Sequence, residues 1–204
     1  MQSRSASKKT RIRSPENNGA NQFEGMLGVS LPMLDVFQSI MDAASADVPV
    51  LITGETGTGK DLVAGAIHNR SRRKDKPFVA VNMGAMPPEL IASELFGHEK
   101  GAYTGALGMR KGRFEEAHGG TIFLDEISTM DEKCQVFLLR VLETKTFRRV
   151  GGEKDIHVDV RVIGATNDDL ESAIKTNRFR EDLYYRFDVF QIHLPPLQIG
   201  RAHV

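Results

Sequence analysis

The chain has 204 residues, enough for one domain with a sizeable buried core. Its 27 Lys plus Arg balance 27 Asp plus Glu, which argues against nucleic-acid binding through bulk charge. One cysteine excludes an intramolecular disulfide and a multi-cysteine zinc site, no apolar run approaches the ~18 residues of a membrane helix, and the basic start lacks a secretory apolar stretch, so a cytoplasmic protein is expected.

Residues 1 to about 22 form a separate compositional zone, with Arg4, Lys8, Lys9, Arg11 and Arg13 unaccompanied by acids and a polar stretch after them. Too little apolar surface is present to offset ordering entropy, so a disordered linker is expected, the other reading being an arm that touches nucleic acid. From Phe23 strands alternate with helices. Ser30 reads as an N-cap with Pro32 in the first turn, and Leu34, Phe37, Ile40 and Met41 fall on one helical face. Residues 48–53 read as a buried strand, about 60–70 as a helix, 78–81 as a strand, 88–96 as a short helix and 121–124 as a strand. A helix follows over 131–143, with Cys134, Phe137, Leu138, Val141 and Leu142 on one side, then strands at 158–164 and 189–194. Cys134 on that stripe reads as a small buried hydrophobe, and the six scattered histidines carry no paired metal-ligand spacing. Such alternation predicts an α/β fold, a parallel five-stranded sheet sandwiched by helices.

The most specific local signal is Gly54-Glu55-Thr56-Gly57-Thr58-Gly59-Lys60-Asp61, which follows a strand and opens a helix, as a phosphate-binding P-loop requires. Glycines let successive N–H groups converge on an anion, the helix N-terminus adds its positive dipole end, and Lys60 supplies a mobile cation for the β- and γ-phosphates. The generic pattern has Ser or Thr after the lysine, where this chain has Asp61. A second element, residues 119–126, is an apolar strand ending in Asp125 and Glu126. Strand-terminal acids lie at the ligand-binding edge of an open α/β sheet, where Asp125 could orient hydrated Mg²⁺ and Glu126 could polarise a water; an acidic helix start is the other reading.

Four segments, VLITGETGTGK from Val50, ELFGHEKGAYTGA from Glu94, GGTIFLDEI from Gly119 and FREDLYYR from Phe179, together resemble the central AAA+ ATPase domain of sigma-54-dependent transcription activators. The resemblance covers about 26–197, and the domain is expected at 23–197. It implies an ATP-binding, Mg²⁺-dependent P-loop NTPase that hydrolyses ATP as a homo-oligomeric ring and remodels sigma-54 RNA polymerase to activate transcription. An acidic residue after the P-loop lysine is usual in that family, so Asp61 fits it. By the same resemblance Asn82 holds the Glu126 carboxylate in an inactive pose, Thr166 and Asn167 read the γ-phosphate, Arg180 and Arg186 reach the adjacent subunit's nucleotide, and Leu27, Gly28 and Val29 lie beside the adenine. Read from the residues alone, the two arginines pair with Glu181, Asp182 or Asp188 on the surface.

The segment 99–112, rich in glycine, predicts a mobile loop rather than a regular element. It presents Tyr103, Thr104, Leu107 and Met109, and reads either as a connection folded over the core or, by resemblance, as the loop whose Gly101, Ala102, Tyr103, Thr104, Gly105 and Ala106 contact sigma-54. The family's usual Phe is Tyr103 here, and residues 148–157 match its second pore-facing loop. A helical lid domain and a DNA-reading helix-turn-helix are expected to be missing, and residues 198–204 read as a non-native tail. The competing expectations are a truncated nucleotide-binding fragment without turnover and a P-loop ATPase of another AAA+ branch.

Overall fold

Short apolar and β-branched runs build the centre of the molecule, and the connections between them set where chemistry can occur. The structure, a computed structural model, describes residues 22–24, 26–27 and 30–196. The expected linker up to residue 21, Gly28, Val29 and the expected tail at 198–204 lie outside the described residues.

An antiparallel ribbon of β1 (Gln22–Phe23) and β2 (Met26–Leu27) precedes α1 (Leu31–Ser45), β3 (Val50–Thr53) and α2 (Lys60–Asn69). Then come β4 (Phe78–Asn82), α3 (Pro88–Phe96), the antiparallel pair β5 (Gly97–His98) and β6 (Arg110–Lys111), and α4 (Arg113–Glu116). After β7 (Thr121–Asp125) a 3-10 turn at Ile127–Thr129 leads to α5 (Glu132–Thr144) and the hairpin β8 (Thr146–Arg148) with β9 (Asp155–His157). The described chain closes with β10 (Arg161–Thr166), α6 (Leu170–Lys175), α7 (Glu181–Phe187) and β11 (Gln191–His193).

Five strands form one sheet in the order β11-β3-β10-β7-β4, all parallel. Every residue of the central β10 is buried, as a strand covered on both faces requires. Side chains alternate between two cores: Val50, Ile52, Phe123 and Ile163 meet α1 and α2 through Ile40, Ala43, Val63 and Ile67. On the other face Leu51, Ile122, Leu124 and Val162 join Phe96, Phe114, Leu138, Phe147, Leu183 and Phe187. The Phe96 ring lies 5.3 Å from Phe114 and 5.5 Å from Phe147, so one aromatic cluster floors both small hairpins. Truncating the fully buried Phe96 to Ala would cost about 3–5 kcal/mol.

The expected helices and strands at 60–70, 78–81, 88–96, 121–124 and 131–143 lie within one residue of the observed ends. Two expectations are corrected. The buried face of α1 is Val36, Phe37, Ile40, Ala43 and Ala44, while Leu34 and Met41 are exposed, because the helix turns its small residues onto the sheet. The strand expected at 158–164 pairs only from Arg161 onward; Val158 and Val160 are buried but enter the core ahead of the ladder.

Candidate functional site: the carboxyl edge of the sheet

The parallel register places the ends of the strands side by side: Asn82 opposite Asp125, Thr166 opposite Thr53, and Thr53 opposite His193. Between β3 and α2 the chain must reverse tightly. Gly57 and Gly59 do this with φ of 84° and 85°, a left-handed conformation that a side chain resists. Gly59 is the N-cap of α2, so the amides that follow it open the helix toward solvent. Lys60 is 8% exposed, and its Nζ donates to the carbonyls of Gly54 at 2.9 Å and Glu55 at 3.0 Å, which keeps the ammonium over the turn. Thr58 Oγ1 closes the turn on the Glu55 carbonyl at 2.7 Å.

A cavity of about 630 Å³ opens beside this turn, lined by Thr56, Gly57, Gly59, Lys60, Asp61, Asn82, Asp125 and Glu126. Asp125 Oδ1 accepts the Glu126 N–H at 3.1 Å and Oδ2 accepts from Asn82 Nδ2 at 3.3 Å. Burial pushes the Asp125 carboxyl above its ordinary range, against the opposing pull of Lys60 and the Glu126 N–H. Glu126 turns out of the strand at φ 58° and ψ 52°, a left-handed conformation costing on the order of 1 kcal/mol for a residue with a side chain. Its carboxylate lies over Gly84, where an added Cβ would sit 2.0 Å from Oε2. Here the expected Asn82–Glu126 contact gives way to another: the Asn82 amide reaches Asp125, and its Oδ1 accepts from the Ala85 N–H at 3.2 Å.

The donor set fits Mg²⁺ bound jointly with a phosphate ligand. Among the described residues no group of three or more His, Cys, Asp and Glu could hold a metal alone. Asp125, half-buried with its carboxyl pushed above the ordinary range by that burial, faces the same cavity as Asp61, and a divalent cation there would offset the burial of its charge.

Thr166 is buried at the end of β10; its Oγ1 donates to Ser128 Oγ at 3.3 Å and accepts the Asp168 N–H at 3.0 Å. Asn167 Nδ2 donates to Thr56 Oγ1 at 3.0 Å, which ties this strand end to the Gly54–Asp61 turn. A second cavity of about 370 Å³ lies across Gly54 and Glu55, between Thr166, Asn167 and His193. The arginines lie elsewhere. Arg180 forks onto Asp182 at 3.0 and 2.7 Å, as one surface reading expects. Arg186 pairs with Glu143 at 2.6 Å, not with Glu181, Asp182 or Asp188. Neither lines the 630 Å³ cavity of its own chain. Leu27 lies in β2.

The segment expected as a plain loop has paired strands at its base, β5 with β6. Its tip closes on itself through Gly101 N–H to the Ala106 carbonyl at 2.9 Å and Ala106 N–H to the Tyr103 carbonyl at 3.0 Å. Tyr103 is 41% exposed and stands edge-on to His98 at 5.1 Å, while Ala106 is buried and Gly101, Thr104 and Gly105 are exposed. Leu107 is 89% and Met109 53% exposed. The loop between β8 and β9 supports this tip: Gly151 approaches Ala102 so closely that a Cβ would meet the Ala102 methyl at 2.8 Å.

Residues that motif reading missed are Gly84, Ser128 and His193. His193 Nδ1 lies 3.1 Å from Thr53 Oγ1, and Ser128 receives Thr166. A glycine two residues beyond Asn82 was the available signal for the first; the other two become visible only through tertiary contact.

Residues 26–193 match the family model of the Sigma-54 interaction domain. Nitrogen fixation protein VnfA of Azotobacter vinelandii is 55% identical over 173 residues, covering 85% of this chain and 33% of that protein. The DNA-binding transcriptional regulator NtrC of Salmonella typhimurium is 52% identical over 179 residues, 88% of this chain and 38% of that protein. The chain thus spans about a third to two fifths of the length of the curated relatives it matches. A crystal structure of NtrX from Brucella abortus in complex with ATP superposes with a TM-score of 0.76 at 43% identity, over 82% of this chain and 36% of that one. The P-loop NTPase domain of a sigma-54 transport activator from E. coli, 22% identical with a TM-score of 0.59 over 83% of this chain and 99% of that one, shares the fold.

Proposed function

This chain belongs to the Sigma-54 interaction domain family, and we propose that it is the ATP-hydrolysing part of a bacterial transcription activator that remodels sigma-54 RNA polymerase. The observation that carries the reading is the convergence of the Gly54–Asp61 turn, Asp125, Glu126 and Asn82 on one 630 Å³ cavity in a chain of this family. The turn's backbone N–H groups and Lys60 hold the β- and γ-phosphates of ATP. Asp125, with Asp61 beside it, would hold Mg²⁺, which when bound would supply neutralisation of developing charge on the phosphoryl oxygens. Glu126 orients and polarises the attacking water as general base. Asn82 links the Asp125 carboxylate to the Ala85 N–H, and so would pass a change at that carboxylate to the segment after β4. Thr166 and Asn167 sense the γ-phosphate through Ser128 and Thr56.

Arg186 is exposed, Arg180 partly so, and neither lines the cavity of its own chain, which supports a role in completing the site of a neighbouring subunit in a homo-oligomeric ring. The tip 101–106, with Tyr103, Thr104 and the exposed Leu107 nearby, is the surface proposed to contact sigma-54 in the cytoplasm, its height set by the γ-phosphate state. Residues 23–197 form the functional domain in this reading. The test is sigma-54 capture by the assembled protein with Mg²⁺ and an ATP transition-state mimic. Capture that requires the mimic and is lost in Tyr103→Ser supports the reading; equal capture without nucleotide contradicts it.

A further inference from the structure

Gln135 on α5 belongs to none of the motifs, yet it is 2% exposed and makes three bonds to two backbone segments, one at Met130 and one at Arg178–Arg180. Its Nε2 donates to the carbonyls of Met130 at 2.9 Å and Arg178 at 3.0 Å. Its Oε1 accepts the backbone N–H of Arg180 at 2.8 Å. Both amide hydrogens and the carbonyl oxygen are therefore used inside the protein, and a buried amide so saturated fixes the relative position of everything it touches.

The two ends of this clamp differ in what they carry. Met130 closes the 3-10 turn that follows Glu126, and Ser128 in that turn receives the Thr166 hydroxyl. Arg180 is the N-cap of α7, and its guanidinium is in contrast half free: the side chain is 36% exposed and rests on Asp182 and, at 3.6 Å, on Glu132. Exposed pairs of this kind are weak. An open cavity of about 890 Å³ separates the guanidinium from the turn, with Ser128, Gln135 and Arg180 in its wall. The base of Arg180 is thus held while its head can leave.

We infer that Gln135 is the positioning residue of Arg180, tying the backbone that carries this guanidinium to the turn behind Glu126, so that the state of one nucleotide site sets where the arginine stands for the next subunit. The inference rests on the reading of Arg180 as a group supplied to the neighbouring subunit. A Gln135→Leu subunit keeps its own phosphate-binding turn and Glu126 but loses the hold on Arg180.

Mixing subunits tests this. Gln135→Leu alone is expected to lower kcat at least about tenfold with KM for ATP changed less than about twofold, since the loss is of positioning and not of nucleotide grip. Mixed one to one with Lys60→Ala subunits, which grip no nucleotide but carry an intact Arg180, about a quarter of the sites combine a competent pocket with an intact neighbouring arginine. Turnover should therefore rise toward about a quarter of the wild-type rate, which a purely structural defect in the Gln135→Leu pocket would not allow. Gln135→Glu keeps the shape but sets a carboxylate oxygen against the Met130 and Arg178 carbonyls that Nε2 now reaches, so it breaks the tie, and the same recovery is expected from it should Gln135→Leu prove insoluble. Recovery in Arg180→Ala with Lys60→Ala mixtures, without recovery in either Gln135 mixture, overturns the inference and leaves the arginine reading standing. Failure of all the mixtures, or full turnover by Arg180→Ala alone, removes the arginine reading and the inference with it.

Discussion

Gly84→Ala should separate nucleotide binding from hydrolysis. The methyl group would arrive 2.0 Å from Glu126 Oε2, 2.7 Å from its Cδ and 3.3 Å from its Oε1, so its three nearest contacts all belong to that carboxylate. A carboxylate at the end of a flexible side chain can rotate away, so the fold survives while the proposed general base moves. Taking ~3.4 Å as an ordinary carbon–oxygen contact, the oxygen must retreat by about 1.4 Å. Misplacing a reacting group by about 1 Å can cost on the order of 100-fold in rate, so kcat should fall by about that factor while ATP affinity stays within about twofold. Steady-state turnover, titration of ATP into the protein and thermal unfolding of both forms together check this. Unchanged kcat would refute the placement of Glu126, and a loss confined to KM would refute its role as base.

Glu126→Gln should abolish turnover with ATP affinity kept, measured by single-turnover hydrolysis and equilibrium binding. Chelating divalent cations should stop hydrolysis and reverse on adding Mg²⁺, read by phosphate release. Arg73 bridges Asp47 at 2.7 Å and Asp159 at 2.8 Å at the opposite end of the sheet from the Gly54–Asp61 turn, its side chain 14% exposed. Arg73→Met should destabilise by about 2 kcal/mol, a value already discounted because both acids are more than half exposed. Arg73 holds both carboxyls below their ordinary range, so this contribution is complete above about pH 4 and disappears as pH falls through their folded values; chemical unfolding of the two forms against pH should show the difference closing only in acid.

The parts of this molecule legible in its sequence are those where one contiguous stretch carries both the element and the chemistry. The turn at Gly54–Asp61 and the strand running into Asp125 and Glu126 are such stretches, and their flanking strand and helix follow from local pattern. The α1 face was misread because the helix puts Ala43 and Ala44, weakly hydrophobic by composition, against the sheet and leaves Leu34 outside. Strands β5, β6, β8 and β9 are two or three residues long, and Arg110 and Lys111 do not read as a strand; the Phe96 cluster beneath holds them. Partners distant in sequence were equally hidden: Arg186 finds Glu143 on α5, and Asn82 is drawn to Asp125 by their facing register on β4 and β7.

The proposed chemistry needs triphosphate to be gripped where β3 passes into α2. Calorimetric titration of Mg-ATP into the wild-type protein and Lys60→Ala, both in the assembled state, measures that grip. Saturable uptake by the wild type and uptake too weak to saturate in Lys60→Ala are expected; equal uptake by both, or none by the wild type, would rule the grip out.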